Sequence, residues 1–165
     1  MAVILREAET ADRDAVRPIV ESWVRGRVTG RLLANEADRI IATVGTRETQ
    51  HIIAVDTGIV IGMMGLTTPD TNARRYATSA NAAELVHAFL VDECRGRGIG
   101  TLLVNGLEAA ALLAQSTELI IQSGPRYEHS GWPFWSARFG SPVAVEHHRR
   151  GDVAVWRKVL TEDWQ

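Results

Sequence analysis

Arg95-Gly96-Arg97-Gly98-Ile99-Gly100 combines the residue types that hold a phosphate. It follows an apolar run from Leu85 to Val91 and opens an apolar-periodic segment that reaches Ala114. Alternate glycines let main chain approach a ligand where a β-carbon would obstruct it. The first amides of a following helix have no intrahelical acceptor and lie at the positive end of its dipole. Arg95 and Arg97 add two positive charges beside them. Strand, basic glycine turn and helix in that order form a cradle for a phosphate or pyrophosphate. The competing interpretation is a capped strand–helix turn with a solvated basic face.

Two other phosphate cradles are excluded. A Walker loop needs Gly-x-x-x-x-Gly-Lys-Ser/Thr, and no lysine stands here to reach a terminal phosphate. A dinucleotide fingerprint needs Gly-x-Gly-x-x-Gly, but Thr101 follows Gly98 and Leu103 follows Gly100 at the required spacing. What the residues satisfy is Arg/Gln-x-x-Gly-x-Gly, through Arg95, Gly98 and Gly100. The stretch from Ala83 to Gly100 resembles, without a gap, the acetyl-CoA motif of the GNAT N-acetyltransferase superfamily, with Leu90 where that family usually has Val. The resemblance implies transfer of an acetyl group from acetyl-CoA, as co-substrate, to a primary amine. It places the pyrophosphate on the amides of Arg97, Gly98, Ile99, Gly100 and Thr101, with Arg95, Gly96 and Arg97 completing the turn. The pantetheine arm would pair with the backbone of Phe89, Leu90 and Val91 as an added strand. An amide near Leu90 would hold the oxyanion.

The amine must lose a proton before it attacks. Glu84 matches a position where many family members carry a glutamate acting as general base, and a partly buried carboxylate is suited to that work. Strict alternation would put Glu84, Val86, Ala88 and Leu90 on one face, and Leu85, His87, Phe89 and Val91 on the other. His87 then reads as a core-edge histidine. The family's usual thiolate-protonating tyrosine is missing from Trp132–Gly140. Tyr127 is the candidate replacement, while Tyr76 reads as a loop residue. Trp135 is a candidate to stack on the pantetheine arm, and Ser123 stands where the family often has a cofactor-contacting asparagine. Cys94 reads as structural.

These residues need a frame. Val3–Ala8 reads as a strand, and Thr10 as the N-cap of a helix carrying Val16, Ile19, Val20, Trp23 and Val24, with Pro18 inside it. A loop spans Gly26–Asn35 and a second, shorter helix Glu36–Val44. His51–Val55 and Ile59–Leu66 form a hairpin about Asp56-Thr57-Gly58. Thr67–Asn81 reads as a long polar loop, suggesting function or mobility. Ala83–Val91 is the central strand, Gly98–Ala114 the helix behind the cradle, and Glu118–Gln122 a short buried strand. Pro125–Pro133 reads as a loop, Phe134–Phe139 as a short helix, and Val143–His148 with Val153–Leu160 as a last hairpin. The order β-α-α-β-β-β-α-β-α-β-β predicts an α/β fold with a mixed sheet, the order that the GNAT fold also shows.

At 165 residues, with 45% hydrophobic and 23% charged side chains, the chain reads as one domain, residues 1–165, large enough for its own core. A net charge of −2 gives no basic footprint for nucleic acid. No apolar run is long enough for a membrane span, and the start is unlike a signal peptide. One cysteine fits a reducing cytoplasm. No metal is expected, since His147 and His148 on one strand point to opposite faces. Two alternatives remain open. One is a non-catalytic acyl-CoA sensor. The other is an acyltransferase for a carboxylated acyl-CoA such as succinyl-CoA, gripped by Arg25, Arg27, Arg31, Arg74 or Arg75. A homodimer through the last hairpin is compatible with the sequence.

Overall fold

The computed structural model describes residues 2–25 and 31–161. Among them the elements run β1 (Ile4–Glu7), α1 (Arg13–Arg25), α2 (Arg31–Thr43), β2 (Thr49–Asp56), β3 (Ile59–Thr67), α3 (Thr71–Arg74), β4 (Ala82–Leu90), α4 (Ile99–Leu113), β5 (Glu118–Ser123), α5 (Gly131–Phe139), β6 (Ala144–His148) and β7 (Gly151–Val159). The strands form one mixed sheet in the order β1-β2-β3-β4-β5-β7-β6. This is the expected mixed α/β architecture, with β4 and β5 as a parallel pair.

Boundaries differ where local chemistry outweighed the sequence pattern. Helix α2 begins at Arg31, so Arg31–Asn35 are helical instead of looped; Arg-Leu-Leu-Ala are strong helix formers. The rest of that expected loop, 26–30 with Arg27, lies outside the described residues. Asp70 accepts a bond from the Ala73 amide and nucleates α3 within the expected Thr67–Asn81 loop. Helix α5 starts at Gly131 because Pro133 falls in its first turn, where a missing N–H costs nothing. Thr10 is not the cap. It lies in a 3₁₀ turn, Thr10–Asp12, whose N-cap is Glu9, and the Asp12 carboxylate accepts from the Glu9 amide at 2.8 Å. Arg6 clamps the same carboxylate with two bonds of 2.6 and 2.7 Å. That pairing holds the Asp12 carboxyl below the usual carboxylate range.

The described residues group into two compact units, Met1–Thr67 with His87–Ala109 and Thr68–Val86 with Ala110–Gln165. In the first, α1 and α2 pack Val16, Val20, Val24, Ala37 and Ile41 against Ile53, Met63 and Phe89. Ile52, one residue from Ile53, points to the other side of β2. There, with Leu5, it faces Gly106 of α4. Arg13 donates to the carbonyls of Ala42 and Val44 and so closes the carboxyl end of α2. Along the α1 side runs a row of rings, Trp23, Phe89, His87 and His51, with successive centroids 4.6, 5.9 and 5.2 Å apart. His51 is 1% exposed, and its Nε2 lies 2.9 Å from His87 Nδ1.

In the second unit, Leu119, Ile120 and Ile121 are all buried, as expected of a strand covered on both faces. Ala73, Ala82, Ile120 and Val155 form its core cluster. The segment 68–81 is tied to three glutamates. Glu84 of β4 accepts from the Asp70 amide, and Glu118 of β5 accepts from the amides of Thr78 and Ser79. Glu146 of β6 accepts from the Tyr76 hydroxyl and from Arg75. No described helix is long and apolar enough to cross a membrane.

Two consequences are measurable by urea unfolding. Asp12→Ala removes a cap and a clamped ion pair and should cost about 1–2 kcal/mol at pH 7. Because the Asp12 pKa is depressed in the fold, that difference should fade as the pH falls through the acid range. Burial depresses the two histidines further, to about 3 for His51 and about 4 for His87. Between pH 6.5 and 4 the unfolded chain takes up protons on both and the fold largely does not, so together they should lower stability as pH falls by roughly 2 kcal/mol per pH unit. Glu84, whose pKa is raised, acts in the opposite sense. The His51→Leu variant, shallower in slope, isolates the histidine contribution.

Candidate functional site

The phosphate-binding residues predicted from the sequence lie in the first unit. After β4 a 3₁₀ turn, Asp92–Cys94, is closed by the Cys94 and Arg95 amides bonding to the carbonyls of Val91 and Asp92. Gly96 and Gly98 then take φ of +72° and +78°, the left-handed region that side chains rarely adopt. The chain enters α4 with its first helical bond from the Leu102 amide to the Gly98 carbonyl. The amides of Ile99, Gly100 and Thr101 thus open a 15-residue helix without acceptors inside it. A β-carbon placed on Gly96 or Gly98 would meet no protein atom within 4 Å. Backbone conformation dictates these two glycines, and the turn borders open space.

Both arginines are engaged with carboxylates. Arg95 pairs with Asp92 at 2.8 Å, and Arg97 approaches Asp56 at 3.7 Å and the buried Cys94 sulfur at 3.6 Å. These pairs are partly solvated and weak, so a phosphate competes readily for the guanidinium groups. The amides have no such competitor within the helix.

The preceding strand departs from the expected alternation. His87 takes φ +53°, outside the β region, so the faces assigned by strict alternation do not carry through it. The ladder between β4 and β5 comprises Ala82↔Glu118 to Leu85↔Ile121, and Val86–Leu90 lie beyond it. Phe89 is buried in the core of the first unit, Leu90 is half-buried, and the Val91 amide bonds to Ile61.

The residues expected to move protons lie in the second unit. Glu84 is 6% exposed. Its Oε2 accepts from the Asp70 amide and its Oε1 from Gln122 Nε2, each at 3.0 Å. Burial raises its pKa, and the two donors only partly offset that rise. Asp70 and Gln122 escaped the sequence reading. The β-ladder carries the only signal for Gln122: Glu84 registers with Ile120, and Gln122 follows on the same face. Ser123 is buried, and its carbonyl accepts from Trp132 Nε1 at 3.2 Å. Tyr127 closes a 3₁₀ turn, Pro125–Tyr127, with its hydroxyl buried and the Arg126 guanidinium 5.6 Å from its ring centroid. Trp135 is 5% exposed, stacked on Phe139 and edge-on to Phe134.

Of the arginines considered for an acyl carboxylate, Arg74 donates to the carbonyls of Ser79 and Ala80, and Arg75 to Glu146. Arg25 and Arg31 are exposed at the ends of α1 and α2. Tyr76 is committed to Glu146. His147 bonds to Asp152, and His148 to Glu146. No group of three or more metal-ligating side chains occurs among the described residues.

Solved structures share this fold at low sequence identity. A GCN5-related N-acetyltransferase from Kribbella flavida superposes with a TM-score of 0.74 at 19% identity, over 96% of this chain and 98% of that one. An N-acetyltransferase from Staphylococcus aureus Mu50 gives 0.75 at 15%, over 98% and 100%. The PaiA N-acetyltransferase from Thermoplasma acidophilum, solved in complex with coenzyme A, gives 0.70 at 15%, over 96% and 99%. No curated protein matches in sequence. The profile of the acetyltransferase (GNAT) family matches residues 11–137, a span that includes the glycine turn, Glu84 and Tyr127, and the chain therefore belongs to the GNAT acetyltransferases, a family of acyltransferases.

Proposed function

We propose that this protein is an N-acetyltransferase that moves acetyl from acetyl-CoA to a primary amine of a small molecule or peptide by direct attack, with residues 1–165 acting as one catalytic domain. The observation that carries this reading is the pair of left-handed glycines feeding the acceptor-free amides of α4 into open space. A pyrophosphate satisfies those amides and lies at the positive end of the helix dipole. Coenzyme A in the PaiA structure supports the choice of carrier.

In this reading the pantetheine arm pairs with the backbone of Phe89, Leu90 and Val91, with Ser123 and Trp135 as further carrier contacts. The amine nitrogen attacks the thioester carbonyl, and Glu84 takes the proton that nitrogen loses, directly or through water. The negative oxygen of the tetrahedral intermediate rests on an amide near Leu90. Its collapse breaks the carbon–sulfur bond, and the thiolate leaves with a proton from Tyr127 or from solvent. Glu84 suits the role because burial raises its pKa towards neutrality, while Gln122 and the Asp70 amide fix its orientation.

Calorimetric titration with acetyl-CoA, free CoA and succinyl-CoA tests the carrier. Micromolar acetyl-CoA binding is expected. Absence of binding to all three would make the glycine turn structural and remove the enzyme reading. The variant carrying both Arg95→Ala and Arg97→Ala should lose about 1–3 kcal/mol of acetyl-CoA affinity, since both cations must leave carboxylates to reach a phosphate. With an amine found by thiol-release screening, Glu84→Gln should lower kcat at neutral pH and recover at high pH, where the amine deprotonates unaided. Wild-type rates across the pH range would remove Glu84 from the mechanism.

A further inference from the structure

His51 and His87 are far apart in sequence and on strands that are not neighbours, since β3 lies between β2 and β4. The pair forms because β3 is bare at one point. His51 registers with Gly65, and a β-carbon on Gly65 would lie 2.9 Å from His51 Cδ2 and 3.0 Å from Nε2. The imidazole therefore passes over Gly65 and reaches across to β4. Its Nε2 meets His87 Nδ1 at 2.9 Å, with the two rings only 8° from parallel. His87 is the residue at which β4 turns left-handed, just beyond the end of the β4–β5 ladder. A histidine at φ +53° must be held there by its surroundings. Phe89 stacks against it at 5.9 Å and is itself buried in the core.

We propose that His51 is a positioning residue for the acyl-carrier edge of β4: through its bond to His87 it fixes the left-handed turn that aims the peptide groups of Ala88–Val91. This rests on the proposed pairing of the pantetheine arm with that backbone, and deepens it. One aromatic side chain, passed over a glycine window, sets the direction of main-chain groups that contact the carrier.

Glycine at 87 would adopt the same φ unaided, so the role of His51 is conditional on His87. In the full-length protein, His51→Leu should weaken acetyl-CoA binding about tenfold. In a His87→Gly background the same substitution should change it less than twofold. Adenosine 3′-phosphate 5′-diphosphate, which lacks the pantetheine arm, should bind all these variants equally. A cavity left by the lost ring would lower Tm in both backgrounds, so stability cannot mimic this pattern. Gly65→Ala, which pushes the His51 ring off its seat, should reproduce the tenfold loss and serves if His51→Leu does not fold. Equal losses in the two backgrounds, or equal losses for both ligands, would overturn the proposal. If the wild type binds no acyl-CoA, the carrier reading fails on its own, and the anchor is judged by amide NMR shifts. Those of Ala88–Val91 should move in His51→Leu and stay in place when the substitution is made on His87→Gly; failure to move in the first case would overturn it.

Discussion

A main-chain amide or carbonyl withdrawn from water must find a hydrogen-bond partner, and this structure depends on where it withholds one. For most of its length the sheet satisfies its backbone internally. Then, within a short stretch of chain, β4 loses its neighbour on one side and a helix opens. Val86–Leu90 run past the end of the β4–β5 pairing, and Ile99, Gly100 and Thr101 open α4 ahead of its first internal acceptors. The two stretches are joined by the turn that Gly96 and Gly98 make possible. Recognition built on main chain asks little of the side chains nearby. In the proposed scheme Leu90 in place of valine changes little.

Charge plays the secondary part. In sequence the two turn arginines read as positive charges beside the amides. In the fold each leans on a carboxylate, Asp92 or Asp56, which moderates the positive field while no anion is bound. Glu84 shows the reverse arrangement, a buried acid held by two neutral donors. Neutral donors orient a carboxylate without lowering its proton affinity as far as an arginine would.

What could be read from sequence was whatever is encoded locally. The β4–turn–α4 unit was legible because its apolar periodicity and glycines lie in one contiguous stretch. The β2–β3 hairpin was legible because Thr57-Gly58 supplies the left-handed turn such a connection needs. The partners of Glu84 were not, since Gln122 and Asp70 reach it only through β-register and a loop. The His51–His87 bond was still less accessible. It needs a strand residue in a conformation that alternation forbids, and it crosses a third strand at a glycine. Helix α2 outran its expected start because propensity in Arg31–Asn35 outweighed the polar look of the segment. The stacking of Trp135 on Phe139 was not read either.

The anchoring of segment 68–81 has a consequence for anything that would dock against it. Polar and with only the short α3 for regular structure, it has the composition of a mobile flap, yet glutamates on β4, β6 and β5 hold it near its start, middle and end in turn. Two of those three attachments run through its own amides, leaving little backbone freedom to lose. Those attachments lower the penalty of ordering a loop for any molecule that docks against it. A surface anchored in this way selects by fit to a standing template more than by closure.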